Sequence, residues 1–142
     1  MEPSYTFIDH TADVLFEAKA PTLNELFKQC ALALEDTQVH IENVETREEI
    51  EIKGKNKKID LLLYDFLDDL VFYKDAESLV FSQFSITIAQ EGEDYTLHCK
   101  ASGEKIDVEK HQPKVDVKAI TLHLFEVKEI AGGYSAKVLL DI

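Results

Sequence analysis

The sequence lacks any apolar run that approaches the roughly 20 residues a transmembrane helix needs. Residues 1–4 also lack the basic and apolar regions of a secretory signal peptide. Cysteine is scarce: Cys30 falls on an apolar helical face and Cys99 in a strand-like run, and neither lies in a CxxC or histidine-rich setting. We therefore expect a cytoplasmic protein with two buried, inert thiols, rather than a disulfide or a cysteine-based metal site.

Motifs of common catalytic and cofactor sites are absent as well. The chain contains no P-loop, GxGxxG, GxSxG or HExxH pattern and no aromatic RNA-recognition motif. Its histidines are scattered, and no two of them are four residues apart, as zinc ligands on a helix often are. Catalysis by this chain alone therefore has little support.

Basic charge is also in short supply. The 28 acidic residues outnumber the 15 basic ones, which gives a formal net charge of −13. Proteins that grip nucleic acid normally show a basic stripe, whereas the densest basic stretch here, residues 53–58, is short and typical of a solvated turn. The overall field repels phosphate, so we expect no direct nucleic-acid binding and a cation or a basic protein as the partner.

What is present indicates a folded domain. The 142 residues are 45% hydrophobic and fit one domain of ordinary size, which we place at residues 1–142. Helical spacing of apolar residues predicts one helix over 22–36, opened by a capping box at Thr22 and Glu25, and a second over 58–73. Alternating apolar residues predict strands over 4–8, 14–20, 44–53, 79–89, 95–101, 115–129 and 134–141.

Three local sequence features add detail to the predicted strands and turns. The alternation slips within 115–129, which predicts a β-bulge. Residues 54–56 are typical of a turn, and residues 111–113 break a short extended piece around Ile106 and Val108. The predicted fold is of the α+β class, with two helices packed on one face of a mostly antiparallel or mixed β-sheet in a layered single domain.

Two short acidic segments lie at opposite ends of the sequence. The first contains Asp9, His10 and Asp13, and the second is Asp141-Ile142, in which Ile142 carries the α-carboxylate. If the fold brings Asp13 beside the last two residues, three carboxylates converge, and a hard cation is needed to offset their repulsion. Taken separately, the segments have simpler explanations: side chains that cap a turn, and a solvated terminus. A hydrolytic site with His10 as the base is a further possibility, although no nucleophile motif accompanies it.

These segments belong to a wider pattern that resembles the archease family. The resemblance spans the whole chain, and the DHTAD segment combined with a closing LDI is specific to that family. The residues that carry it are 9–13 (DHTAD), His111, 117–123 (VKAITLH), 132–134 (GGY) and 138–142 (VLLDI).

The resemblance implies a function. Archeases are small α+β proteins that assist the tRNA-splicing RNA ligase, which joins 2′,3′-cyclic phosphate or 3′-phosphate RNA ends to 5′-hydroxyls. They promote guanylylation of the ligase histidine and multiple turnover, and are not enzymes themselves. The family resemblance also implies a divalent-metal site formed by Asp13, Asp141 and Ile142. Calcium is the metal seen in the family, with magnesium or manganese as alternatives. His10 and Lys118 are further candidate functional residues.

The residues alone also allow two other classes of function. A chaperone-like modulator of protein folding would need a sizeable exposed apolar patch. A small metal-dependent phosphoesterase would need turnover of its own on phosphate esters.

Overall fold

Seven strands and three helices make up the chain, in a computed structural model that describes all 142 residues. The helices are α1 (Leu23–Gln38), α2 (Ile59–Glu77) and the short α3 (Val108–His111), and a 3₁₀ turn spans Ile41–Asn43. The strands are β1 (Ser4–Ile8), β2 (Val14–Ala20), β3 (Glu48–Asn56), β4 (Leu79–Glu91), β5 (Asp94–Lys105), β6 (Ala119–Ile130) and β7 (Gly133–Asp141). The α+β class is confirmed.

The strands form two sheets, where the sequence had suggested one. The first has the order β1-β2-β7-β6 and the second the order β3-β5-β4, and every pairing is antiparallel. The first sheet therefore joins the two strands at the start of the sequence to the two that come last in it. The predicted bulge in β6 is confirmed, because the register with β7 shifts between Thr121 and Glu126 and Leu124 has a left-handed φ of 60°.

The helices form a middle layer between the sheets. Helix α1 contacts β1, β2 and β7 of the first sheet and β4 of the second, and α2 contacts β6 of the first and all three strands of the second. No strand of one sheet contacts a strand of the other. The expectation that helices cover one face of a single sheet is thus corrected. The physical reason lies in α2, whose apolar side chains cover more than one face and so require burial from two directions. A single hydrophobic core includes residues of both helices and both sheets.

Most element boundaries follow from local chemistry. Thr22 is the N-cap of α1, because its Oγ1 accepts a hydrogen bond from the Glu25 N–H at 3.2 Å. Strand β3 was predicted to begin and end earlier, and the turn predicted at residues 54–56 is wrong: these residues still pair with β5. The extended piece predicted around Val108 is wrong too, since Asp107 caps the short helix α3 there.

Both thiols are free and buried, as predicted. Burial raises the pKa of Cys99 to about 12 and raises that of Cys30 further, so neither is a reactive thiolate at neutral pH. None of the helices has the length and hydrophobicity to cross a membrane.

Candidate functional site

The end of the central strand β7 brings the two acidic segments together. Asp141, its last residue, lies opposite Ala119, the first residue of β6. On the other side of β7, Leu140 pairs with Val14, the first residue of β2. Asp13 directly precedes Val14, so continuing the antiparallel register places it across from Asp141. The two acidic residues are separated by almost the whole sequence but lie at the same end of one sheet, Asp13 in the loop directly before β2 and Asp141 at the end of β7.

Packing fixes this end of the sheet. Leu140 is fully buried and Leu139 is 3% exposed, and the side chain of Ile142 packs against the main hydrophobic core. Strand β7 is hydrogen-bonded on both sides up to this point, so the chain does not fray before Asp141. Asp141 is exposed, whereas Asp13 and Ile142 are partly buried. Neither Asp13 nor Asp141 forms an ion pair with another side chain, so both carboxylates are available to a ligand.

The donor chemistry at this position fits a hard cation. Nowhere in the chain are three His, Cys, Asp or Glu side chains grouped to hold a metal ion. The set implied by the family resemblance contains only two such side chains, Asp13 and Asp141, because its third member is the α-carboxylate of Ile142. All of these donors are carboxylate oxygens, which Ca²⁺, Mg²⁺ and Mn²⁺ prefer. Metal binding itself stays a prediction.

Lys118 lies on the opposite side of Asp141 from Asp13. Its backbone N–H donates a hydrogen bond to the Asp141 carbonyl oxygen at 2.8 Å. The side chain is exposed and forms no ion pair. The structure therefore brings Lys118 to the same end of the sheet as the acidic pair and leaves its ammonium group free.

His10 lies in the loop between β1 and β2, at a surface cavity of about 360 Å³. The loop has a strained point at Ala12, whose φ is 69°. Exposed Phe7 and Ile8 of β1 lie at one wall of the cavity. The other lining residues are Asp9, Asp13, Val14, Leu15, Asp36, Thr37, Lys114 and Val115. Of the five residues predicted for the site, His10 and Asp13 line this cavity, whereas Lys118, Asp141 and Ile142 do not.

A polar contact at this cavity was missed by sequence reasoning. Asp36 of α1 accepts a hydrogen bond from the Tyr5 hydroxyl at 3.0 Å and pairs with the Lys114 ammonium at 3.2 Å. Burial, together with the bond to Asp36 and its negative charge, raises the pKa of Tyr5 to about 12. The three residues are far apart in the sequence, and no local pattern signals their contact.

A second charged cluster, around Glu104, was also missed. Although burial acts in the opposite direction, hydrogen bonds from the Glu45 N–H, Lys110 and His111 lower the pKa of Glu104 to about 2. His111 is fully buried; its Nδ1 accepts from the Asp107 N–H at 2.9 Å, and its Nε2 lies 3.0 Å from Glu104. The residue that the sequence suggested as a strand breaker therefore fastens α3 to the end of β5.

The fold and the strand-end arrangement together define a class of small layered α+β protein with two acidic residues at one end of one sheet. The model of the Archease protein family matches residues 5–142. The chain belongs to the archease family, which confirms the resemblance seen in the sequence.

Curated relatives agree with this assignment. Protein archease of Pyrococcus furiosus is 41% identical over 135 residues, which cover 94% of this chain and 95% of that protein. Protein archease of Methanosarcina mazei is 33% identical over 139 residues, which cover 97% of this chain and 95% of its own length.

Solved structures agree as well. The solution structure of Methanobacterium thermoautotrophicum protein 1598 matches with a TM-score of 0.87 and 36% identity, covering 97% of this chain and 98% of that one. A Thermotoga maritima archease, described as a possible chaperone, matches with a TM-score of 0.63 at 19% identity, covering 95% of this chain and 94% of its own, and supports the fold alone.

Proposed function

We propose that this protein is a non-catalytic accessory factor of the tRNA-splicing RNA ligase, promoting guanylylation of the ligase histidine and multiple turnover. The observation that carries the proposal is the pairing of Val14, the residue after Asp13, with Leu140, the residue before Asp141, in a chain that belongs to the archease family. The net charge of −13 supports a basic protein, rather than RNA, as the binding partner.

Asp13, Asp141 and the α-carboxylate of Ile142 would hold a divalent cation, with calcium the first candidate and magnesium or manganese the alternatives. Such an ion would supply positive charge for phosphate oxygens at the contact with the ligase. The chain itself would supply the oxygen donors, and the β2-β7-β6 pairing supports this by bringing the start of β2 and the end of β7 together. His10 and Lys118 border this position and are candidates for contact with the ligase.

Ligation tests the accessory function. The cognate ligase is mixed with excess RNA carrying a 2′,3′-cyclic phosphate, with and without this protein, and turnovers per ligase are counted. We expect a large gain with the wild-type protein and its loss with Asp13→Asn or Asp141→Asn. The matched control is Asp68→Asn on the exposed side of α2. No gain with the wild type would overturn the proposal.

Calorimetry tests the metal site separately. We expect calcium to bind the wild type and to bind Asp13→Asn at least about tenfold more weakly, because a ligand oxygen loses its charge. Two residues added after Ile142 move the α-carboxylate while β7 stays paired, and should weaken binding to a similar extent. Unchanged calcium affinity in the extended protein would show that Ile142 is not a ligand.

The two other classes of function, a phosphoesterase and a chaperone-like modulator, predict different experimental results. A phosphoesterase would hydrolyse a generic phosphodiester in the presence of metal and without ligase. A chaperone-like protein would suppress aggregation of unrelated unfolding proteins and would do so equally well with Asp13→Asn.

A further inference from the structure

A buried lysine contacts the segment that leads to Lys118. Lys74, in the last turn of α2, is 8% exposed, which is rare for a lysine because removing its charge from water is unfavourable. Three oxygen acceptors surround its ammonium group. The group donates hydrogen bonds to the Val117 carbonyl oxygen at 2.7 Å and to Asp116 at 2.5 Å, and it forms an ion pair with Asp75 at 2.7 Å.

Two of these acceptors belong to the connector, which we define as residues 112–118 between α3 and β6. The connector has no helix or strand of its own. Its backbone hydrogen bonds instead reach outward: the Lys114 N–H to the Gln38 carbonyl oxygen and the Lys118 N–H to the Asp141 carbonyl oxygen, both at 2.8 Å. Val117, held by Lys74, is the residue directly before Lys118.

The charged form of Lys74 is retained despite its burial. Burial acts to lower the pKa of its ammonium group, but the hydrogen bonds and charges of Asp116 and Asp75 outweigh it and raise the pKa. Both carboxylate partners of the buried ammonium group are largely exposed, and ion pairs to exposed carboxylates add little net stability. The stability of the fold therefore does not explain why a lysine occupies this position. Its bonds to Asp116 and Val117, which hold the connector in place, do explain it.

We propose that Lys74 is a positioning residue: by holding the Val117 carbonyl and Asp116, it keeps the Lys118 backbone bonded to Asp141 and so fixes both residues at the strand end. The effect of Lys74 on metal binding rests on the proposed function. Its effect on the hydrogen bond between Lys118 and Asp141 rests only on the contacts of Lys74 described above. Helix α2 thereby reaches the candidate site without contributing a side chain to it.

The test uses Lys74→Met, which keeps an unbranched apolar side chain and removes all three donors. Amide hydrogen exchange is followed by NMR. We expect the Lys118 amide to exchange about tenfold faster, as expected when one hydrogen bond is lost, while the Leu140 amide in β7 keeps its protection. The control is Lys105→Met, which removes another lysine bonded to a backbone carbonyl of α2, that of Glu77, away from the connector. It should leave Lys118 exchange unchanged.

A milder variant covers the case in which Lys74→Met lowers the stability of the whole fold. Asp116 is largely exposed, so Asp116→Ala removes one anchor without opening the core. It should speed Lys118 exchange by a smaller factor at an unchanged melting temperature. Calcium affinity should fall about tenfold in Lys74→Met, as is typical when a group that orients metal ligands is removed.

The outcomes separate the two proposals. If Lys118 keeps its protection in both variants, the positioning role is overturned. If protection is lost but no variant, nor the wild type, binds calcium, the positioning role stands and the metal site fails.

Discussion

Among single residues, Glu35 is the most unusual carboxyl group in the chain. It is fully buried in α1, where its Oε2 accepts a hydrogen bond from the Phe81 N–H at 3.0 Å and its Oε1 has no partner. Burial raises the pKa of Glu35 to about 8, against the opposing effects of that hydrogen bond and of the Lys74 charge. The carboxyl group therefore keeps its proton at neutral pH.

This protonation makes stability depend on pH. The pKa of Glu35 is about 8 in the folded protein against 4.5 in the unfolded chain, so the folded state binds an extra proton between these values. Stability from this residue is then fully present below pH 4.5, falls as the pH rises through that window, and changes no further above pH 8. Glu35→Gln keeps the acceptor for Phe81 and removes the titration.

We expect Glu35→Gln to match the wild type near pH 4 and to exceed its free energy of unfolding at pH 9 by on the order of 5 kcal/mol. Urea unfolding at the two pH values measures this. The control, Glu48→Gln, changes an exposed carboxylate of β3 and should follow the wild-type profile. Parallel profiles for Glu35→Gln and the wild type would contradict the assignment.

Among the structural elements, the bulge in β6 combines strain with exposed apolar side chains. Leu124 has a φ of 60°, a conformation that costs a residue with a Cβ about 1–2 kcal/mol. Leu122, two residues earlier, is exposed as well and has an ordinary φ. The two leucines form a natural pair for separating strain from burial.

Glycine at each position measures that strain. Both Leu122→Gly and Leu124→Gly lose a side chain and gain backbone freedom in the unfolded chain, but only the second relieves a left-handed conformation. We expect Leu124→Gly to be more stable than Leu122→Gly by about 1 kcal/mol in urea unfolding. Equal stabilities would mean that the surrounding sheet relieves the strain at Leu124 in another way.

Short-range sequence patterns predicted some structural elements and not others. The N-cap at Thr22 and the phase slip in β6 are short-range features, and both are present in the structure. The reciprocal bond of the predicted capping box, from the Glu25 side chain back to Thr22, is not formed, and Glu25 Oε2 has no partner. Alternation shows which face of a strand is buried but not which sheet the strand joins, so the division into two sheets was not predictable. The short helix α3 depends on the contact between buried His111 and Glu104, which has no periodic pattern.

The candidate site, too, was predictable from the sequence only in part. Asp13 and Asp141 stood out because of their composition and position, but their adjacency depends on the β2–β7 register, a pairing across nearly the whole chain. Only the family resemblance suggested that contact. Lys74 gave no signal, because helical spacing cannot distinguish a buried lysine from an exposed one.

For the whole molecule, the net charge of −13 has a kinetic consequence under the proposed function. A strongly acidic protein is steered toward a basic partner by long-range attraction, which salt screens. We expect the rate constant for association with the ligase to fall about tenfold as the salt concentration is raised from low to several times physiological, while the dissociation rate changes little. Stopped-flow measurements at several salt concentrations test this. A rate constant independent of salt would show that the net charge plays no part in the encounter.

The sheet order has a consequence for synthesis on the ribosome. Strand β7 lies between β2 and β6, yet it follows every other element in the chain. While the chain emerges, β2 has no partner on the side where β7 will lie, and β6 has none at all in its sheet. The second sheet and its two helices are translated earlier and can assemble first, whereas the first sheet closes only when β7 has left the ribosome. Because β7 also carries Asp141 beside Asp13, completion of the fold and assembly of the acidic strand end are one and the same event.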